Sequence, residues 1–163
     1  VSIERGWHRV YVGVGSNMGE RQAWIDMAAE GLRSDGNNRN FRSAQVIETE
    51  PYGYLEQDKF LNTVFTFETL YEPEELLLRM QEIEKEAHRE RKIHWGPRTL
   101  DLDLLLYDNR ITESPVLTIP HPEMTKRLFV LIPLCELNPH GVHPLYRKRF
   151  AEYKEALEQQ ENK

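Results

Sequence analysis

Apolar residues recur along this chain at two spacings, one typical of β-strands and one typical of α-helices. Strand-like alternation, or a short run of β-branched and aromatic residues, occurs at residues 10–14, 41–50, 59–71 and 99–107. Helical spacing predicts one helix over residues 20–34 and a second helix that begins at Pro73, where proline's missing N–H costs nothing. The predicted order of elements is therefore strand, helix, strand, strand, helix, strand.

This order is that of the ferredoxin-like, or split βαβ, arrangement, an α+β fold with a mainly antiparallel sheet. A chain of 163 residues suits one domain with a sizeable core, so we assign residues 1–163 to a single domain. The C-terminal third is expected to add an extended segment near residues 116–119 and helices from about Glu123 onward. The charged residues 146–163 carry a sparse apolar stripe, which predicts a helical tail along Phe150, Tyr153 and Leu157.

The predicted strand at residues 99–107 carries two aspartates on one face. Strict alternation places Leu100, Leu102, Leu104 and Leu106 on the core face of the strand. The opposite face carries Asp101, Asp103, Leu105 and Tyr107. Carboxylates at alternate positions of a strand lie roughly 6 to 7 Å apart and repel each other, unless a cation binds between them. Mg²⁺ is the natural candidate, because one or two carboxylates and substrate phosphates typically hold it. The alternative is a half-exposed strand whose polar face merely carries aspartates.

The segment before this strand is basic, although the formal net charge of the chain is -6. Residues 88–98 contain Arg89, Arg91, Lys92 and Arg98. Arginine presents a planar fork of donors that suits phosphate oxygens, so this segment predicts a polyphosphate held by arginines and Mg²⁺ together. A solvated run of charges is the alternative reading of these residues.

Four motifs occur in this order along the chain, at Gly15-Ser-Asn17, Phe60-Leu-Asn62, Gly96-Pro-Arg-Thr-Leu-Asp-Leu-Asp103 and Pro120-His-Pro-Glu-Met-Thr-Lys-Arg-Leu-Phe129. With them the chain resembles the 6-hydroxymethyl-7,8-dihydropterin pyrophosphokinases of folate biosynthesis, from roughly residue 10 to residue 139. The resemblance implies that the added helices cover the second face of the sheet and give a three-layer α/β/α sandwich. It also implies transfer of pyrophosphate from ATP to the hydroxymethyl group of the pterin, with release of AMP.

The resemblance assigns roles to individual residues of this chain. The implied catalytic residues are Arg89, Arg91, Arg98, Asp101, Asp103 and His121, with Asp101 and Asp103 as ligands of two Mg²⁺ ions. ATP is the implied co-substrate, and its site would consist of Gln81, Arg89, Arg91, Trp95, Arg98, Leu104, Thr118, His121 and Arg127. The pterin site would consist of Asn17, Thr49, Tyr52, Phe60, Asn62, Trp95, Asp101 and Phe129.

The predicted strand at residues 59–71 supports the pterin site. Phe60 and Asn62 lie on one face of this strand, opposite Leu61, Phe65 and Phe67. A pterin is a flat ring edged with donors and acceptors, which an aromatic side chain can stack on and an amide can pair with. The resemblance places the ring between Phe60 and Phe129, with Thr49 and Tyr52 contributing largely through backbone groups. Ordinary core packing is the alternative for both phenylalanines.

The glycines between residues 13 and 19 lie between a predicted strand and a predicted helix. Their spacing fits neither the phosphate-binding loop nor the dinucleotide fingerprint. We expect them to permit a tight turn from strand to helix. Asn17 would either cap that helix or reach the substrate pocket, and the resemblance favours the pocket.

Composition restricts the class of protein. The acidic balance argues against general nucleic-acid binding, and the chain has no apolar run of membrane-spanning length. No signal-like segment occurs at residues 1–9, so we expect a cytoplasmic protein. The resemblance implies that its partners are small-molecule substrates, and we expect a monomer. Cys135, the single cysteine, lies in an apolar run and is expected to be buried in the core. Two alternatives are a transferase acting on another heterocycle and a non-catalytic nucleotide- or pterin-binding module.

Overall fold

The structure is a computed structural model that describes residues 6–17, 20–49, 59–89 and 100–161, apart from the side chains of residues 88 and 89. Its strands are β1 His8–Ser16, β2 Asn38–Ser43, β3 Ile47–Thr49, β4 Phe60–Thr69, β5 Asp101–Tyr107, β6 Thr112–Glu113 and β7 Thr118–Ile119. Its α-helices are α1 Arg21–Arg33, α2 Pro73–Arg89, α3 Leu128–Leu137 and α4 Phe150–Glu161, and a 3-10 helix spans Met124–Lys126. Within these residues, none of the helices has the length and apolar character needed to cross a membrane.

The main sheet has the strand order β2-β4-β1-β5, with β3 also paired to β4, and all of these pairs are antiparallel. With α1 between β1 and β2 and α2 between β4 and β5, this confirms the ferredoxin-like prediction. The strand predicted over residues 41–50 is divided into β2 and β3. The division occurs at Gln45, whose backbone N–H donates to the Glu136 carboxylate at 2.8 Å instead of continuing the ladder.

Two apolar cores lie on opposite faces of the sheet, as expected for a three-layer α/β/α sandwich. The first core joins one face of β1 to helices α1 and α2, and includes Val10, Val12, Val14, Ile25, Leu32, Leu76 and Met80. The second core joins the other face to α3 and α4, and includes Val64, Leu105, Leu106, Leu131, Leu134 and Phe150. The sheet is therefore covered on both faces.

A β-bulge in β5 overturns part of the predicted alternation. The register with β1 pairs Tyr11 with Leu106 but Val12 with Leu104, so Leu105 is an extra residue on β5. Beyond the bulge the faces exchange, because one inserted residue moves every later side chain to the opposite face. Leu106 consequently packs in the second core and Tyr107 in the first, where the alternation predicted the reverse.

A hydrogen-bonded carboxylate, that of the partly buried Asp35, ties the turn after α1 to α2. The Tyr71 hydroxyl donates to Asp35 at 2.6 Å, the Asn37 backbone N–H donates to it at 2.9 Å, and Arg79 lies 3.3 Å away. Burial alone would raise the pKa of Asp35, but the bonds from Tyr71, Asn37 and Arg79 outweigh it and lower that pKa. The ionised carboxylate is thus part of the folded architecture.

The C-terminal segment differs from the predicted tail in where its helix begins. Helix α4 starts at Phe150 rather than near residue 146, because the chain first passes through a turn in which Arg147 has φ 61°. The predicted stripe holds, since Phe150 is buried and Tyr153 and Leu157 pack on the second core. Cys135 is partly rather than fully buried at the margin of the same core, and burial raises the pKa of its thiol.

His143 organises the turn before α4. Its Nδ1 accepts the backbone N–H groups of Leu145 and Tyr146 at 3.2 and 3.1 Å, and its ring stacks on the ring of Tyr146. The side chain is 2% exposed, and burial lowers the pKa of His143. A proton on Nδ1 would abolish both hydrogen bonds.

We therefore expect stability to fall as the pH drops below 6.5, the ordinary histidine value. His143 takes up its proton near that pH in the unfolded chain but only at lower pH in the folded chain, so the unfolded state binds more protons within this window. Urea unfolding from about pH 7.5 to about pH 5 measures the effect. His143→Asn keeps an acceptor and removes the titration, so its free energy of unfolding should fall less steeply. Equal slopes for the two proteins would contradict the prediction.

Candidate active site

A cavity of about 430 Å³ opens on the second face of the sheet, beside the C-terminal half of β1. It lies between the sheet and the 3-10 helix that leads into α3. Among the described residues, its lining consists of Gly13, Val14, Gly15, Thr49, Phe60, Asn62, Thr63, Asp101, Asp103, Glu123, Lys126, Arg127, Phe129 and Val130. Seven of the predicted site residues are thereby brought together: Thr49, Phe60, Asn62, Asp101, Asp103, Arg127 and Phe129.

Two glycines of β1 form the floor of this cavity. Gly15 pairs with Asn62 on β4 and with Asp101 on β5, and Gly13 pairs in the same way with Val64 and Asp103. Neighbouring strands lie about 4.8 Å apart, so residues of β4 and β5 that face each other across a glycine are separated by roughly 9 to 10 Å. A side chain on β1 would fill this gap, and glycine leaves it open.

Both glycines lie inside β1, so the expectation that they form a turn to the helix is wrong for Gly13 and Gly15. The close packing of Gly15 explains its identity, because a Cβ there would lie 3.1 Å from Oδ1 of Asn62. A Cβ on Gly13 would have its nearest contacts with the Leu105 side chain, at an ordinary 3.5 Å. Glycine is thus required at position 15 by Asn62 on the neighbouring strand β4.

The aspartates lie on β5, the edge strand of the main sheet, and face the cavity from one side. The intervening Leu102 packs in the first core and donates its backbone N–H to the Glu84 carboxylate of α2 at 2.9 Å. Glu84, which was not predicted as a site residue, thus holds the backbone of β5 at the residue between the two aspartates. Two hard carboxylate ligands beside open space are a donor set that suits Mg²⁺ completed by phosphate and water.

The amide of Asn62 is held in place at the opposite side of the glycine floor. Its Nδ2 donates to Oγ1 of Thr49 at 2.7 Å, and the residue is only 6% exposed. Thr49 therefore acts here through its side chain, in addition to any backbone role predicted for it. The result is a polar group with a defined orientation beside Phe60.

The second wall begins at the 3-10 helix and carries Phe129 and two basic residues. Arg127 places its guanidinium 5.6 Å from the centre of the Phe129 ring, within cation–π range. Lys126 lies 3.8 Å from the Glu123 carboxylate. Glu123 and Lys126 were not predicted as site residues, although both belong to the motif that ends at Phe129.

His121 approaches the aspartates from the edge of β5. Its backbone N–H donates to the Leu105 carbonyl at 3.0 Å, which brings its Nε2 to 4.0 Å from Oδ1 of Asp103. The Glu123 backbone N–H donates to Nδ1 at 3.1 Å, so the ring proton of a neutral His121 resides on Nε2. Burial lowers the pKa of His121 against the opposing effect of Asp103. The ring therefore presents a neutral N–H donor toward the aspartate.

Other predicted residues lie outside the cavity lining. Asn17 is buried at 2% exposure, and α1 has Glu20 rather than Asn17 at its N-cap. Leu104 is buried in the first core, Gln81 is exposed on α2 and Thr118 lies on β7. Their substrate contacts stay predictions. Arg89 ends α2; the remaining predicted residues, Tyr52, Arg91, Trp95 and Arg98, lie outside the described part of the chain.

Residues 11–139 match the family 7,8-dihydro-6-hydroxymethylpterin-pyrophosphokinase (HPPK). The chain therefore belongs to that family. The 2-amino-4-hydroxy-6-hydroxymethyldihydropteridine pyrophosphokinase of Aquifex aeolicus is 39% identical over 145 residues, or 89% of each chain. The protein of the same name from Bacillus subtilis is 41% identical over 127 residues, or 78% of this chain and 76% of its own.

Solved structures support the fold. Plasmodium falciparum HPPK-DHPS with pteroate has a TM-score of 0.73 to this structure at 13% identity. An HPPK-DHPS in complex with substrates gives the same TM-score and identity. The present chain covers 43% and 45% of these longer chains, so it corresponds to less than half of each. At this identity the likeness concerns the fold alone.

The exposed position of Asp103 gives a prediction about stability. Asp103→Ala should leave the free energy of unfolding unchanged, or raise it by up to about 1 kcal/mol, because it removes repulsion from Asp101. Asp35→Ala is the matched control and should lower that energy by about 1 to 3 kcal/mol, because it removes the charged acceptor of Tyr71, Asn37 and Arg79. Urea unfolding without divalent cations measures both. Equal destabilisation by the two substitutions would show that Asp103 serves the fold.

Proposed function

We propose that this protein transfers the β,γ-pyrophosphoryl unit of ATP to the hydroxymethyl group of 6-hydroxymethyl-7,8-dihydropterin, a step of folate biosynthesis. The observation that carries the proposal is one cavity in which Asp101 lies across a glycine floor from Asn62, and whose lining also holds Asp103, Phe60 and Phe129. Membership of the pyrophosphokinase family supports the same reaction. ATP is the co-substrate.

The pterin end of the site is formed by Phe60, Phe129 and Asn62. The two phenylalanines would stack on the faces of the flat ring, and the amide would pair with its edge. Thr49 supports this recognition because its hydroxyl accepts from Asn62 and so restrains the direction of the amide. Asn17, Tyr52 and Trp95 complete the proposed pterin contacts.

The phosphate end is formed by the two aspartates and by basic residues around them. Asp101 and Asp103 would hold two Mg²⁺ ions, which neutralise phosphate charge and orient the triphosphate when bound. His121 would donate a hydrogen bond from Nε2–H to a phosphate oxygen. Arg127 would move away from the Phe129 ring and donate a hydrogen bond to a phosphate oxygen as well. The other proposed ATP contacts come from Gln81, Arg89, Arg91, Trp95, Arg98, Leu104 and Thr118.

In the reaction itself, the hydroxyl oxygen of the pterin attacks the β-phosphorus of ATP. The bond from that phosphorus to the oxygen bridging to the α-phosphate breaks, AMP leaves, and the hydroxyl proton is released. The protein's contribution is to hold the two substrates in line and to surround the developing charge with fixed donors. Arg89, Arg91 and Arg98 would join His121 in stabilising that charge.

We also propose that residues 1–163 form one domain that is active as a monomer, since the aromatic and acidic sides of the cavity belong to one chain. Sedimentation of the protein during turnover checks this. Activity confined to a dimer would contradict it.

The products test the reaction directly. With ATP, Mg²⁺ and the pterin, we expect one AMP and one pterin diphosphate per turnover, identified by ³¹P NMR and mass spectrometry. Asp103→Ala should reduce turnover by about 100-fold or more, because it removes charge stabilisation at the reacting phosphates. ADP as the stoichiometric product would contradict pyrophosphoryl transfer. A wild-type protein that binds both ligands without forming AMP would be a binding module.

The glycine floor gives a second test. Gly15→Ala should raise the KM for the pterin by roughly tenfold, equivalent to about 1.4 kcal/mol, because the new Cβ displaces the amide of Asn62. Thr49 resists that displacement through its hydrogen bond. Gly13→Ala, on the same strand and face, should change this KM less, since the nearest atoms to its Cβ belong to Leu105 at an ordinary 3.5 Å. Steady-state kinetics compare the two variants. Equal effects would refute a specific role for Gly15.

A further inference from the structure

Glu123 and Lys126 on the cavity wall have no role in the reaction as described above. Both residues line the same cavity as Asp101 and Asp103. Nζ of Lys126 lies 3.8 Å from Oε2 of Glu123, three residues away along the same turn. The Lys126 ammonium can therefore pair either with the Glu123 carboxylate or with a phosphate bound in the cavity.

The pair between Lys126 and Glu123 is weak enough to exchange. The Lys126 side chain is 71% exposed and that of Glu123 is 46% exposed, so water surrounds both charges. Ion pairs of this kind contribute little to stability, and Lys126 can leave Glu123 at small cost. The other basic residue that lines the cavity among the described residues, Arg127, instead lies over the ring of Phe129.

The charges of the described lining explain why the exchange matters. The lining carries three carboxylates, on Asp101, Asp103 and Glu123, and two basic side chains, on Lys126 and Arg127. Asp101 and Asp103 are the pair suited to divalent cations, whereas Glu123 faces an incoming polyphosphate with the same sign of charge. Lysine has three donors and can contact Glu123 and a phosphate oxygen in succession or together.

We propose that Lys126 binds the phosphate chain of the nucleotide, and that Glu123 competes with the phosphate for it. The inference rests on the proposed function and adds a residue to its phosphate end. Lys126 pairs with Glu123 in the free protein and moves to a phosphate oxygen in the complex. Glu123 thereby weakens phosphate binding, through its hold on Lys126 and through repulsion.

The two residues should consequently act in opposite directions. Lys126→Gln removes a charge-assisted bond and should weaken binding of the nucleotide by about threefold to tenfold. Glu123→Gln releases Lys126 and should tighten binding. Lys126→Arg keeps the charge and should restore most of the affinity. Added salt should diminish the difference between wild type and Lys126→Gln, because salt screens an exposed charge.

The experiment is calorimetric titration with the Mg²⁺ complex of the α,β-methylene analogue of ATP, in which the bond that must break is replaced. Lys154→Gln is the matched control: Lys154 pairs with Glu158 at 3.3 Å on α4 and lines a different cavity. It should leave the affinity unchanged. Titration with the pterin alone should give wild-type affinity in every variant, which shows that each remains folded.

Two outcomes would overturn the inference. One is an affinity of Lys126→Gln for the analogue that equals that of Lys154→Gln. The other is weaker rather than tighter binding by Glu123→Gln. Either result leaves the proposed function standing if the wild-type protein forms AMP. Absence of AMP, with the expected binding changes present, would overturn the proposed function and retain the phosphate-binding role of Lys126.

Discussion

The central strand β1 carries the constraint on which the rest of the structure depends, because its two faces must be different. On one face Val10, Val12 and Val14 fill the core beneath the first two helices. On the other face Gly13 and Gly15 contribute no side chains, so groups from the flanking strands reach a common space above them. The fold and the cavity thus depend on one alternating sequence of valine and glycine. A larger residue at Gly15 would affect the cavity before it affected the core.

The edge strand β5 combines two requirements that conflict elsewhere in a sheet. Its leucines belong to the cores, whereas Asp101 and Asp103 must face open space. Their repulsion is small in water, about 1 kcal/mol even at 4 Å, so the edge position makes two like charges tolerable. Glu84 occupies the N–H of the residue between them and anchors the strand to α2. A bound cation would attract both carboxylates and offset their mild repulsion. The folded state should therefore be slightly more stable with the cation than without it.

Local periodicity accounts for much of the fold and for part of the candidate site. Alternation alone places Phe60 beside Asn62 and Asp101 beside Asp103, and the structure brings all four to one cavity. The bulge at Leu105 could not be predicted, because it depends on pairing with β1 and is absent from the pattern of β5 itself. The glycine floor could not be predicted either, because the need for glycine comes from residues on the neighbouring strands. The wall beside it begins with a 3-10 turn, which is too short to show a periodic pattern in the sequence.

In the proposed complex, one cavity above the glycine floor holds the pterin on one side and the metal-bound phosphates on the other. A crystal structure with the α,β-methylene ATP analogue, Mg²⁺ and the pterin would reveal this arrangement. We expect the ring between Phe60 and Phe129, the amide of Asn62 on its edge, and carboxylate oxygens of Asp101 and Asp103 about 2.1 Å from Mg²⁺. A ring bound away from the glycine floor, or Mg²⁺ held by phosphates without either aspartate, would contradict it.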